Sequence, residues 1–478
     1  MKFFKTIPVF LIMACALVAC DDDDDKVMTQ TPVTLRSQSI AEGASVLAGT
    51  TTQLTLSYNY HMAINDAVNV TVNGTNVIPV IDAADVKNVI IPLALNAGVD
   101  YTISVPEGAF YNNDNVTMTS EALTINFSTE AGLDKSTVAT TLVNDNATPQ
   151  AVNVYNFLLE NYTAKTLSGV MANVANNNDF SDLVYSTTGK YPALTGYDFI
   201  HLSYSPNDWI DYGDITPAQT QWDNNGLVTY MWHWNTPTNE GDDISTYSAN
   251  SDFDIEAALT EGTWQHDFIM NDIAKVAGYL KQLQDAGIPV IWRPLHEAAG
   301  NYDLYGSMEE GAWFWWGKKG TEYTKQLWQL LYDQLVNVYG LNNLIWVWTV
   351  QVPAERTDDY LDVAAAAYPG DDYVDIIGVD IYADNIDSKR IQFDFAAAVG
   401  DGKKMVTLSE CGNVPNPENC FLSGEAWAWF MVWYNVDENG DLLLTVDDAN
   451  YSLNTADYWN ELMNSDYVIT RDEMPSLK

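Results

Sequence analysis

Two glutamates stand where they could do acid–base and covalent work. The continuous apolar run Ile288–Trp292 stops on Arg293, His296 and Glu297, and after a loop come Trp313, Phe314, Trp315 and Trp316. An apolar run that ends on charged groups predicts a buried strand delivering polar side chains to a site. Met405–Ser409 does the same and delivers Glu410. Carboxylates serve as acid, base or nucleophile, and flat rings stack on sugars, so the pairing points to cleavage of a glycan. Two carboxyl groups about 5–5.5 Å apart across a glycosidic bond give retention, and about 6.5–9.5 Å gives inversion. Either glutamate alone would read more simply as a surface or salt-bridged residue. The five histidines lie far apart, and neither HExxH nor CxxC occurs, so no metal centre and no cofactor are expected. Abundant Asp and Glu leave an incidental Ca²⁺ open.

Elements of the right kind surround these residues. From Thr148 onward strands alternate with helices. Eight strand-like segments are Thr166–Met171, Asp198–Ser203, Leu227–Trp234, Pro289–Leu295, Leu344–Thr349, Ile376–Ile381, Met405–Ser409 and Ala428–Trp433. Helical patterns such as Asp267–Asp285 and Glu322–Tyr339 separate most of them. That order predicts an α/β fold, a (β/α)8 TIM barrel; the Gly-rich phosphate loop of an open doubly wound sheet is missing. A barrel carries its site on the C-terminal strand ends. Those ends hold His201 and Tyr204; Trp232, His233 and Trp234; Arg293, His296 and Glu297; Trp346, Trp348 and Gln351; Asp380 and Tyr382; Ser409 and Glu410; Trp433 and Tyr434. Strands four and seven oppose each other in an eight-strand ring, so Glu297 and Glu410 face across the bowl. His233 taken alone could be a core histidine, and Tyr382 and Trp433 could be core packing.

Residues 31–130 have another texture. Leu54, Leu56, Tyr58 and Tyr60 alternate with polar residues, as do Val68, Val70 and Val72 before an Asn73-Gly74 turn. This predicts an all-β, immunoglobulin-like sandwich serving as a spacer. All 16 Trp lie from Trp209 onward, so glycan binding by this unit is not its expected role. At the start, Lys2 and Lys5 precede the apolar Ile7–Val18, and Leu17-Val18-Ala19-Cys20 resembles the lipobox of bacterial lipoproteins. The resemblance implies a signal peptide over 1–20 and lipid on Cys20. Asp21–Asp25, within a tether over 21–30, resembles the export signals of surface lipoproteins. The expected location is therefore the outer membrane, surface-exposed, with the barrel over 131–478. The net charge of −44 repels phosphate backbones and argues against nucleic acid. An export context and a short loop predict a Cys411–Cys420 disulfide.

Five motifs in order resemble glycoside hydrolase family 26: Gly189–Phe199 (GKYPALTGYDF), Leu227–Trp234 (LVTYMWHW), Trp292–Glu297 (WRPLHE), Trp313–Gly317 (WFWWG) and Leu408–Gly412 (LSECG). The family consists largely of endo-β-1,4-mannanases on a (β/α)8 barrel. The resemblance implies Glu297 as acid/base, oriented by His296, and Glu410 as nucleophile, hydrogen-bonded by Tyr382 and supported by Asp380. It implies His233 and Tyr382 around the sugar beside the cleaved bond, Trp433 as its apolar platform and Trp313 on the leaving-group side. Two departures are the Asn301–Gly311 insertion between the acid motif and the aromatic motif, and the loop from Cys411 to Cys420. The expectation is a retaining endo-β-1,4-mannanase, monomeric, acting on β-mannan and anchored to the membrane by lipid. Alternatives are the same fold acting on β-glucan or xylan, and a non-catalytic glycan-binding lipoprotein.

Overall fold

The structure, a computed structural model, describes residues 31–173, 175–206, 210–238, 243–300, 312–352, 358–445 and 452–478, with backbone alone at 358–360. The predicted leader with Cys20, the acidic tether and the Asn301–Gly311 insertion lie outside the described residues.

The amino-terminal part is built from short strands, antiparallel except for one pairing. A four-stranded sheet runs Leu35–Gln38, Gln53–Tyr58, Asn88–Pro92, Val80–Ile81. A five-stranded sheet runs Ser45–Val46, Leu123–Thr129, Asp100–Val105, Val70–Val72, Thr75–Val77. Period-two alternation puts Leu54 and Leu56 of the first against Ile103, Val105 and Ile125 of the second in one core. A third, three-stranded sheet joins Asn115–Thr119, Phe110–Asn112 and Met62–Ile64. The fold is the expected β-sandwich.

The remainder is the expected barrel. Its strands are β1 (Thr166–Met171), β2 (Leu194–Asp198), β3 (Leu227–Trp232), β4 (Val290–Pro294), β5 (Leu344–Gln351), β6 (Ile376–Ile381), β7 (Met405–Cys411) and β8 (Trp429–Val432). Each pairs in parallel with the next, and β8–β1 and β1–β2 close the ring. Nearly every strand residue is buried, because the barrel interior takes one face and the helices cover the other. Local signals agree with the elements. Thr148 caps the helix Pro149–Asn161, its hydroxyl accepting from the Ala151 amide at 3.3 Å, and Pro149 occupies the first turn.

Two elements differ from the sequence reading. The second strand ends at Asp198, and Phe199–Tyr204 forms a 3-10 turn rather than a strand. Tyr212 makes that turn: its hydroxyl donates to the Asp198 carbonyl (2.6 Å) and accepts from the His201 amide (3.1 Å). Asp198, not His201, therefore stands at the strand tip. The helix expected over Glu322–Tyr339 begins at Thr321 and passes into a π-helical segment at Asp333–Val338.

Candidate active site

Glu297 sits on a corner that the backbone does not adopt freely. Beyond the end of β4, Leu295 and Glu297 both have φ near 49°, in the left-handed region. Such conformations cost roughly 1–3 kcal/mol each and persist only where neighbours over-determine them. Here the neighbours do. The Glu297 amide donates to the Thr349 carbonyl of β5 (3.1 Å), and the Gly300 amide returns to the Glu297 carbonyl (2.8 Å). The Trp316 indole donates to the His296 carbonyl at 2.9 Å. Gly317 lies so close beneath this turn that a Cβ there would fall 1.8 Å from the Ala298 carbonyl oxygen, so only glycine fits.

Across the bowl, Arg293 ties β4 to β6 and β7. Its guanidinium donates to Asp380 Oδ2 and to Glu410 Oε2, each at 2.8 Å, with Arg293 and Asp380 almost wholly buried. Ser409 Oγ donates to Asp380 Oδ1 at 2.7 Å, and the Tyr382 hydroxyl donates to Glu410 Oε1. One oxygen each from Glu297, Asp380 and Glu410 lie within 4.8 Å of one another. Three carboxylates so close could hold a cation, and Arg293 supplies that positive charge from within the barrel.

The charges fix where protons rest. Burial, then the charges of Asp380 and Glu410, push the Glu297 carboxyl well above the ordinary glutamate range, and it hydrogen-bonds to Asp380. Asp380 is itself raised by burial, but Arg293 and Ser409 hold its charge. Glu297 is therefore the protonated member and donates to Asp380. Burial, followed by the charge of Glu410, keeps Tyr382 in its hydroxyl form, able to donate. Burial, helped by His233 and Arg293, holds His296 well below the usual histidine range, so its ring is neutral.

The tip of β2 adds a residue the sequence reading missed. Asp198 accepts twice from His233: its Oδ2 lies 2.6 Å from Nδ1, and its Oδ1 receives the His233 amide at 3.0 Å. The ring so fixed meets His296 edge-on at 4.5 Å and Trp433 at 5.8 Å between centroids. The cue was present, since β2 ends on an acid, Asp198. Asp198→Asn leaves the amide contact possible but frees the ring; we expect kcat/KM to fall on the order of 10- to 100-fold with an unchanged melting temperature. Steady-state kinetics beside a thermal melt check this.

Aromatic rings form the walls. Phe314 packs on His296 (4.9 Å) and stacks on Trp316 (4.4 Å). Trp313 remains partly exposed and meets Tyr247 edge-on at 5.3 Å. Tyr247 follows a small hairpin, Thr236–Pro237 with Ile244–Ser245, and bridges to Phe314. It is a second residue that no periodic signal announced. Trp433 is partly buried and stacks on Tyr434 at 5.5 Å. His201 stands apart on the 3-10 turn, packed near Tyr204 at 6.3 Å.

The expected disulfide is absent. Cys411 and Cys420 are both free, buried thiols. Cys411 belongs to β7 and directs its sulfur to the Met431 carbonyl (3.5 Å), whereas Cys420 sits in the helix Pro417–Ser423 beside Glu425 and Trp427. Burial pushes both thiols up, so neither is reactive.

A protonated glutamic acid facing a hydrogen-bonded carboxylate at the C-terminal rim of a parallel barrel is the arrangement that glycoside hydrolases use. Residues 143–473 match the family model described as Glycosyl hydrolase family 26, and the chain belongs to that family. It is 35% identical over 364 residues to mannan endo-1,4-beta-mannosidase A of Piromyces sp, a match spanning 74% of this chain and 54% of the relative. The chain thus covers about half the length of that relative. The GH26 domain of a Prevotella bryantii endo-beta-mannanase/endo-beta-glucanase superposes with a TM-score of 0.59 at 36% identity, covering 70% of this chain and 99% of that one. A Podospora anserina GH26-CBM35 beta-(1,4)-mannanase gives a TM-score of 0.62 at 26% identity over 94% of this chain and 96% of that one.

Proposed function

We propose that the protein is an endo-β-1,4-mannanase that retains anomeric configuration, with Glu410 as nucleophile and Glu297 as acid/base. The observation that carries the mechanism is the carboxylate gap. An oxygen of Glu297 lies within 4.8 Å of one of Glu410, closer to the separation of a retaining pair than to the roughly 6.5–9.5 Å of an inverting one. Glu410, steadied by Arg293 and Tyr382, attacks the anomeric carbon while Glu297 gives its proton to the departing glycosidic oxygen. The C–O bond breaks and a glycosyl ester on Glu410 remains. Forming that ester removes the charge of Glu410, which lowers the proton affinity of Glu297 and lets it act as base. It then takes a proton from water, the hydroxide adds to the anomeric carbon, and Glu410 leaves as carboxylate. Asp380 keeps Arg293 paired throughout. His233, held by Asp198, and Trp433 line the reacting sugar; Trp313 with Tyr247 receives the leaving-group side.

The names of the relatives support mannan as substrate. A β-glucan is the second reading: the Prevotella protein, which carries its GH26 domain together with a GH5A domain, is described as an endo-beta-mannanase/endo-beta-glucanase. Reducing-end release from galactomannan, glucomannan, lichenan and xylan separates the two readings. Activity on mannan absent beside activity on lichenan would overturn the first. A signal peptide over 1–20, lipid on Cys20, surface exposure and a monomeric state belong to the same proposal, as does the division into a tether over 21–30, a sandwich over 31–130 and a hydrolase over 131–478.

The raised Glu297 sets the pH dependence. An acid must be protonated, so kcat/KM is expected to fall as pH rises through the Glu297 pKa. With an aryl β-mannoside whose phenol needs no protonation, Glu297→Ala should keep most of its glycosylation rate and lose that alkaline limb. An alkaline limb unchanged in the variant would assign it to another group.

A further inference from the structure

The sandwich and the barrel enclose a cleft of about 630 Å³, within the roughly 300–1,000 Å³ range of ligand sites. Thr51, Thr52 and Asn96 face it from the sandwich; Asn385, Gln392 and Asn419 face it from the barrel. Its barrel wall also includes Ala383, one residue beyond Tyr382. Asn413, three residues beyond Glu410, holds the Ala383 carbonyl at 2.9 Å. The cleft therefore adjoins the loop that carries Tyr382, and Asn413 ties that loop to the segment following Glu410.

Its walls are fixed relative to each other. The Ala97 amide of the sandwich donates to the Leu422 carbonyl (2.8 Å), and Arg390 Nη2 donates to the carbonyl of Ala131, the residue next to the sandwich's end (2.7 Å). Gly49 and Gly424 sit where the two units touch: a Cβ on Gly49 would lie 2.7 Å from Ser423 Cβ, and one on Gly424 would lie 2.9 Å from Ala97 Cβ. The floor is organised by the buried Glu425 carboxylate. It accepts from the Lys389 amide (2.9 Å), the Trp427 indole (3.0 Å) and the Ser423 hydroxyl (3.0 Å), as well as from Ser388 Oγ.

The lining selects a chemistry. Hydroxyl and amide side chains offer donors and acceptors together, which is what sugar hydroxyls match. The one cation in the lining, Lys389, is buried and donates to Asn385 Oδ1, while Asp387 is exposed. With a net charge of −44, such a cleft rejects anions. We propose that the interdomain cleft is a second carbohydrate site, which holds a neutral stretch of the polysaccharide substrate beyond the catalytic bowl. The proposal rests on the reading of the protein as a mannanase. Without an aromatic platform the site binds weakly. It acts through effective concentration, and only for a chain long enough to reach both sites.

Thr52→Leu and Asn96→Leu take hydrogen-bonding groups out of the cleft and narrow it, from exposed sandwich positions and without adding a ring on which a sugar could stack. Each variant is expected to raise KM for long galactomannan roughly 5- to 10-fold and to leave kcat/KM on a short manno-oligosaccharide and the melting temperature unchanged. Retardation of both variants in gels containing galactomannan should fall relative to the parent. Unchanged polysaccharide KM and retardation overturn the proposal, and so does an equal loss on polymer and oligosaccharide. Gel retardation needs no turnover, so it reads the cleft even if the parent cleaves no mannan, an outcome that would instead defeat the mannanase reading.

Discussion

Glu410→Ala is expected to lower kcat on β-mannan by about 10⁴-fold or more, with the fold intact. The residue receives two directed hydrogen bonds, from Arg293 and Tyr382, and lies where the opposing acid can reach the same glycosidic bond. Deleting it removes the atom that forms the covalent bond, so no rearrangement of neighbours restores the first step. Azide should restore turnover on an aryl mannoside with a good leaving group, because a small anion can enter the space left by the carboxylate. The glycosyl azide formed should have the opposite anomeric configuration to the substrate. A Glu410→Ala enzyme that keeps parent activity on every β-glycan would remove the catalytic assignment.

Arg293→Ala is expected to have the largest effect on stability. Its guanidinium is almost wholly buried and bridges two buried carboxylates. Removing one partner of a buried ion pair costs about 3–5 kcal/mol, because the remaining charge is left uncompensated. The loss should depend on pH. Asp380 is already raised by burial despite Arg293, and without the guanidinium it rises further. The folded variant then binds a proton that the unfolded chain, with a carboxyl pKa of about 3.9, releases. The parent shares that loss up to its own Asp380 value of about 7, so the penalty of the variant relative to the parent grows as pH rises above about 7. Arg293→Lys keeps a charge but not the fork that reaches both acids, and should fall between parent and Arg293→Ala. Urea titrations at neutral and alkaline pH check both variants; an Arg293→Ala penalty that shrinks as pH rises through that range would contradict this account of the Arg293–Asp380–Glu410 bridge.

The barrel was legible because its strands are short, mostly apolar segments alternating with helical patterns, and a polar group at a strand end marks the rim. Glu297, Asp380 and Glu410 lie close together at the barrel mouth, with Tyr382 donating to Glu410. Asp198 obeys the rule too. The apolar Phe199, Ile200 and Leu202 lie beyond the true strand end, which shifted the expected strand from Leu194–Asp198 to Asp198–Ser203 and put His201 at the tip. Tyr247 comes from a short hairpin with no periodicity to read. The left-handed backbone at Leu295 and Glu297 is set by β5 and the Trp316 side chain, which are contacts between segments rather than local preference. The fate of Cys411 and Cys420 depends on the direction of two Cβ vectors, and their spacing carries no trace of that. Docking of the sandwich on the barrel depends on glycines and carbonyls, groups with no sequence pattern.

The central claim is a covalent intermediate on Glu410. Its most direct test is incubation with an activated 2-deoxy-2-fluoro-β-mannoside, which forms the glycosyl ester quickly and hydrolyses slowly, followed by peptide mass spectrometry. The account predicts one fluoroglycosyl adduct, on the peptide that contains Glu410, lost in Glu410→Ala. An adduct on any other residue, or no adduct during inactivation by a reagent that the parent turns over, would contradict it.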